Sequence, residues 1–207
     1  MRRSFSIRCK SIWAVLVLMP VLSACASAPP VPEEHYYRLQ AEFASTPMSH
    51  KLFAGTIEVE PLVGEGLVNE RFIVYSERDK PNQLKAYHYH LWNETPSIML
   101  GSELISFLRA SNVAGQIVTP ALRVRADYVL NGRIKRLERI VGESNRTMIA
   151  LELALRSATG GKLVFLNEYR HENDALGPDI ASAVDALNTS LTIIYSDFLN
   201  DLAQSGK

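Results

Sequence analysis

Cys25 is the residue in this chain whose type and position offer covalent chemistry most directly. It closes the tetrapeptide Leu22-Ser23-Ala24-Cys25. A thiol is the strongest common side-chain nucleophile, and two small residues before it leave it open to an enzyme. The sequence holds only one other cysteine, Cys9. Other constellations begin and then fail. Gly64-Glu65-Gly66 opens like a dinucleotide loop, but Asn69 stands where the third glycine belongs. His171-Glu172 opens like a zinc-protease helix, but Ala175 replaces the second histidine. There is no Gly-Lys-Ser/Thr phosphate loop and no Gly-x-Ser-x-Gly elbow. Acidic residues are scattered, with no pair set for acid–base work. His88 and His90 could start a metal site at strand spacing, but no further His or Cys lies nearby.

The segment before Cys25 explains its setting. Arg2, Arg3, Arg8 and Lys10 form a basic head, and an apolar run of eleven residues, Ile12 to Leu22, follows with Pro20 inside it. A membrane span needs roughly 20 apolar residues, so this is the layout of a secretory signal. The Leu-Ser-Ala-Cys ending resembles the lipobox of bacterial lipoproteins. That resemblance implies a diacylglyceryl group on the Cys25 sulfur, cleavage before it and acylation of the new amine. An ordinary cleaved signal would instead leave Cys25 a free thiol.

Removal of residues 1–24 takes away four basic and no acidic residues. Of 22 basic and 22 acidic residues, 18 and 22 remain, a formal charge of −4 on 183 residues. That mild acidity argues against a general nucleic-acid binder. The length suits one domain with a full core. Without Cys9 and with Cys25 modified, no thiol is left for a disulfide, a nucleophile or a metal site. Residues 25–35 read as the lipidated cysteine and a proline-rich tether, with Pro29, Pro30 and Pro32. Ten extended residues would reach about 30 Å.

The remaining elements are read from period and punctuation. Short strands are expected at Tyr36–Leu39, Phe53–Leu62, Arg71–Ser76 and Leu84–Trp92. In the last of these, Tyr87, Tyr89 and Leu91 alternate with His88, His90 and Trp92. Thr95 as cap and Pro96 at the first position open a helix with Ile98, Leu104, Ile105 and Leu108 as its apolar stripe. Strands follow at Gln116–Thr119 and Ala126–Ile134. Met148–Arg156 is rich in helix formers, yet Ile149, Leu151, Leu153 and Leu155 alternate with polar positions, so a strand is expected. Thr159-Gly160-Gly161 turns into Leu163–Arg170. Ile180, Val184, Leu187, Leu191, Ile194, Phe198 and Leu202 make one long helical stripe. The expected fold is an α+β sandwich: a mostly antiparallel mixed sheet of about seven or eight strands, two helices on one face, in the order ββββα-ββββα. One domain would span 36–204, with 205–207 as a tail.

Two surface features stay open in function. Arg123, Arg125, Arg133, Lys135, Arg136 and Arg139 concentrate charge; this is either a solvated sheet face or a contact for an acidic partner or anionic headgroups. Tyr36, Tyr37, Tyr75, Tyr87, Tyr89 and Trp92 are either core or interface aromatics.

The ordered set of motifs resembles the ABC-type transport auxiliary lipoproteins, the PqiC-like group. It comprises the lipobox, the proline-rich linker, Tyr36-Tyr37-Arg38-Leu39, Ile73-Val74-Tyr75, Trp92-Asn93-Glu94-Thr95-Pro96, Asp127-Tyr128-Val129-Leu130-Asn131-Gly132 and the final amphipathic helix. Ser76 departs from it, since a basic residue often follows the Ile-Val-Tyr. The resemblance implies a non-enzymatic lipoprotein without cofactor or metal, working beside an ABC permease, its ATPase and an MCE-domain protein that spans the periplasm. Such systems move lipids or other hydrophobic molecules between membranes. Ala26 after the cysteine favours the outer membrane, periplasmic face. The family-motif residues it marks are Tyr36, Tyr37, Leu39, Tyr75, Trp92, Pro96, Tyr128 and Gly132, with Cys25 as the lipid site. A homo-oligomer is compatible with it. The alternatives are a regulator of a peptidoglycan synthase and a lipid-binding carrier.

Overall fold

A computed structural model describes residues 31–43 and 47–205. The expected signal, Cys25 and most of the expected tether lie outside the described residues. One compact unit begins at Glu34.

The alternating segments form strands and the two 3.6-period segments form helices. The order is β1 (His35–Tyr37), β2 (Phe53–Val59), β3 (Val63–Gly64), β4 (Phe72–Glu77), β5 (Lys80–Trp92), α1 (Pro96–Ala110), β6 (Ala114–Val118), β7 (Tyr128–Val141), β8 (Arg146–Ser157), β9 (Leu163–Asp174) and α2 (Ile180–Ser205). The class is α+β, as expected, with nine strands among the described residues. The additional strand is β3, two residues long and too short to leave a periodic signal.

β7, β8 and β9 form long antiparallel ladders. Gly160 and Gly161 turn the chain between β8 and β9 with φ of 78° and 66°, which glycine adopts without a Cβ penalty. The other edge of β7 is shared. Its first residues pair in parallel with β2, its middle with β3 and its end with β4. β6 extends the β2 limb, and β5 then β1 extend the β4 limb. The sheet therefore forks along β7.

β7 runs past Ile134, where the clean alternation stops. A register shift between Ile134 and Arg136 places two residues of β7 against one of β8. Such a bulge reverses which face each residue meets. Leu130 and Ile134 face the core before it, and Leu137 faces the core after it. Arg139 follows Leu137 in the same alternation.

Both helices contribute to one apolar cluster with the sheet. The whole expected stripe of α2, from Ile180 to Leu202, is buried. Tyr195 sits in the centre and donates to the Leu100 carbonyl at 2.8 Å, joining the helices. Burial pushes its phenol well above its ordinary value. On α1, Leu104 and Leu108 are buried, but Ile98 is 54% exposed, so the stripe is carried by Met99, Leu100 and Phe107 instead. Thr95 makes no side-chain cap bond; its carbonyl takes the Ile98 and Met99 N–H groups.

Gly132 lies opposite Leu153 in the β7–β8 ladder. A Cβ there would sit 2.5 Å from the Glu152 carbonyl oxygen and 2.8 Å from Leu153 Cδ2. Gly132→Ala is therefore expected to destabilise the fold by about 1–3 kcal/mol, read as a lower urea midpoint with an unchanged slope.

Candidate functional site

The residues from His35 to Glu42 build the candidate site. β1 adds to β5 in parallel, with Tyr37 opposite Trp92. The chain then passes in extended form between the two helices. Its backbone N–H groups alternate in direction. Leu39 N and Ala41 N donate to Met99 Sδ (3.2 Å) and Glu103 Oε2 (3.0 Å) on α1. Gln40 N and Glu42 N donate to Asn188 Oδ1 (2.9 Å) and Thr192 Oγ1 (2.9 Å) on α2. The match is geometric. Two extended residues advance about 6.6 Å, and four helical residues advance about 6 Å. Each helix thus offers one acceptor per turn to every second amide. The strap has no sheet ladder of its own, so these side chains satisfy its donors. Leu39 and Ala41 are buried beneath it.

Beside this strap lies a half-buried aromatic cluster on β1, β4 and β5. Tyr75 stacks on Tyr87 at 4.4 Å, and Tyr87 meets His90 edge-on at 5.7 Å. His90 also stacks with His35 and pairs with the Tyr37 hydroxyl through Nδ1 at 3.0 Å. Strict alternation would put Tyr87 and His90 on opposite faces. It fails because β5 advances five positions, from Ala86 to Leu91, where β4 advances two, from Phe72 to Val74. That irregularity also separates His88, which is exposed, from His90. Among the described residues no group of three His, Cys, Asp or Glu is arranged to hold a metal.

Arg139 reaches this cluster because of the β7 bulge. Its guanidinium donates to Tyr87 Oη (2.8 Å), Asn145 Oδ1 (2.6 Å) and the Pro178 carbonyl (2.5 Å). Asn145 in turn donates to the Gly177 carbonyl. The arginine thereby ties the β7–β8 turn and β5 to the start of α2, where Asp179 accepts from Ser182 N at 2.7 Å. Those N–H donors hold the Asp179 carboxyl below its usual value. Burial, with the nearby Asp179 charge, raises the Tyr37 phenol. Burial also lowers His90, and His35 and Arg139 push it the same way.

The basic cluster read from sequence is not one surface. Lys135 is paired with Glu152 and Glu168. Arg136 is bonded to the buried Glu138. Arg133 lies 4.0 Å from Glu65. Arg123 and Arg125 stand apart in the loop before β7.

The eight family-motif residues divide in the same way. Leu39, Trp92 and Pro96 are buried, Tyr128 packs edge-on against Phe53 at 4.9 Å, and Gly132 admits Leu153. Tyr37 and Tyr75 belong to the aromatic cluster. Tyr36 is exposed beside it, bonded to Glu34 and lying under Arg71. His90, Arg139, Asn188 and Thr192 complete the site: sequence flagged His90 only as a possible metal ligand and Arg139 only as part of the basic run, and it did not single out Asn188 or Thr192. The i, i+4 spacing of Asn188 and Thr192 on the edge of the apolar stripe was the available clue.

A forked mixed sheet under two helices, entered by a pinned N-terminal strap, defines an α+β domain. The chain belongs to the ABC-type transport auxiliary lipoprotein component family, whose model matches residues 37–196. The fold is similar to that of protein XCC0632 from Xanthomonas campestris. That match has 16% identity, a TM-score of 0.72, and covers 83% of this chain and 96% of that one. A PelC dodecamer from Paraburkholderia phytofirmans is similar at 12% identity and a TM-score of 0.50, covering 76% and 94%. No curated protein matches. Among the described residues no helix is long and apolar enough to cross a membrane.

Two outcomes test this geometry. Asn188→Ala with Thr192→Ala should cost about 1–3 kcal/mol and speed proteolysis between residues 38 and 51, leaving the β8–β9 hairpin resistant. His90 binds a proton less readily folded than unfolded. Its contribution is therefore full above its ordinary value of 6.5 and is lost as pH falls through its lowered folded value. Urea midpoints should fall between pH 7 and pH 5, and His90→Gln should flatten that slope.

Proposed function

We propose that the mature chain starts at Cys25, is triacylated there, and serves as a non-enzymatic outer-membrane lipoprotein facing the periplasm. In this reading it is the docking component of an ABC/MCE-type system that carries lipids or other hydrophobic molecules between the membranes. The observation that carries the reading is the strap. The segment that follows the tether is fastened to both helices through four amides, so an anchor on Cys25 would hold the core of the domain. Family membership supports the transport context.

The acyl chains would account for the attachment. One chain binds a bilayer marginally, and each buried methylene adds about 0.8 kcal/mol. Three chains make release negligible without a carrier. A lipid-carrying role for the domain is less favoured. A groove of about 430 Å³ beside the strap is lined by Gln40, Glu42, Asp185, Asn188, Thr189 and Thr192, with Ile193 as its one apolar residue, a lining that suits water better than an acyl chain. Self-association is part of the proposal, as the similar PelC is a dodecamer.

Cys25→Ala should abolish palmitate labelling and move the protein out of the membrane fraction; undiminished labelling would refute the lipid site. The lipidated protein should co-purify with an MCE-domain protein. Recovery of a peptidoglycan synthase in its place would favour the regulator.

A further inference from the structure

The loop between β6 and β7 combines exposed aliphatic side chains with unpaired arginines. It runs Thr119-Pro120-Ala121-Leu122-Arg123-Val124-Arg125, with Leu122 58% and Val124 41% exposed and both arginines exposed. Arg123 has φ of 52°, a left-handed conformation uncommon for a residue with a Cβ. Asn112 shares that conformation but fixes it by donating to the Met48 carbonyl. Among the described residues Arg123 and Arg125 have no ion pair or side-chain hydrogen bond. The carboxylates of Glu60 and Asp127, which flank the region, are engaged by Arg156 and by Thr56 N. Thr119 and Pro120 also line an apolar groove of about 150 Å³ with Pro61, Gly101, Ile105 and Ile98. Ile98 is the residue of the expected α1 stripe that turned outward.

We propose that this loop and groove rest on the membrane surface, with Leu122, Val124 and Ile98 at the acyl boundary and Arg123 and Arg125 against anionic headgroups. Exposed aliphatic side chains interleaved with unpaired arginines are the composition of an interfacial contact. The chain is otherwise acidic after loss of its signal, with 18 basic against 22 acidic residues. A basic tip on such a domain sets which side turns to an anionic bilayer. This inference rests on the anchoring proposed above. A tether of about 30 Å keeps the domain at high effective concentration near the bilayer, so a weak contact is populated. An acidic protein would satisfy the arginines but would leave the aliphatic residues and groove without an equally good reason.

The test uses the lipidated protein on vesicles. Leu122→Cys, labelled with a polarity-sensitive dye, should shift to the blue on phosphatidylcholine vesicles containing phosphatidylglycerol, and less on phosphatidylcholine alone. The same dye on Glu143→Cys, in the β7–β8 turn, should stay aqueous. R123A with R125A should lower the docked-to-free ratio roughly 30-fold, while flotation with the vesicles persists. Failure to float would overturn the anchoring itself. Flotation with an aqueous Leu122 dye, or a dye that shifts only when a protein partner is added, would overturn the membrane contact and leave the anchor standing.

Discussion

β7 pairs with β8 along one edge for its full length, while its other edge takes β2, β3 and β4 in turn. Both limbs of the sheet depend on that one strand. Its bulge after Ile134 is what allows the arrangement, because it keeps an apolar side chain facing the helices at Leu137 and brings Arg139 to the same side. Without the extra residue, Leu137 would turn outward and Arg139 could not reach Tyr87, Asn145 and Pro178. The packing of the core and the fastening of α2 are thus consequences of one irregularity in one ladder.

The N-terminal strap uses a different device. It has no strand partner after Tyr37, so its donors are met by side chains from two helices at turn spacing. This makes the strap part of the core and joins it to both helices at once. A pull on residues before His35 would be resisted by the β1–β5 pairing and then by bonds to α1 and α2. That is a sound arrangement for a domain attached through its N-terminus, and it fits membership in a family of auxiliary lipoproteins.

Much of this was readable in the residues. The stripe from Ile180 to Leu202 specified α2, and the alternation of Ile149, Leu151, Leu153 and Leu155 overrode helix propensity in β8. The parallel joins of β2, β3 and β4 to β7 were not readable, because they link segments far apart and leave no local pattern. The β5 irregularity, which unites Tyr87 with His90, was hidden for the same reason: a two-residue period carries no notice of its own interruption. The outward turn of Ile98 depends on what Met99 and Leu100 fill, a tertiary matter. The basic run from Arg123 to Arg139 looked like one feature in sequence and became several in space, since Arg123 and Arg125 lie in the loop before β7 and the bulge turns Arg139 to the face opposite Arg133.

The central claim is that the segment from Leu39 to Glu42 is fixed between the two helices in the intact protein. Hydrogen exchange of the amides of Leu39, Gln40, Ala41 and Glu42, measured on the full protein, tests it most directly. The account predicts that all four exchange far more slowly than an unstructured peptide and slow down together. Exchange at the rate of a free chain would contradict it.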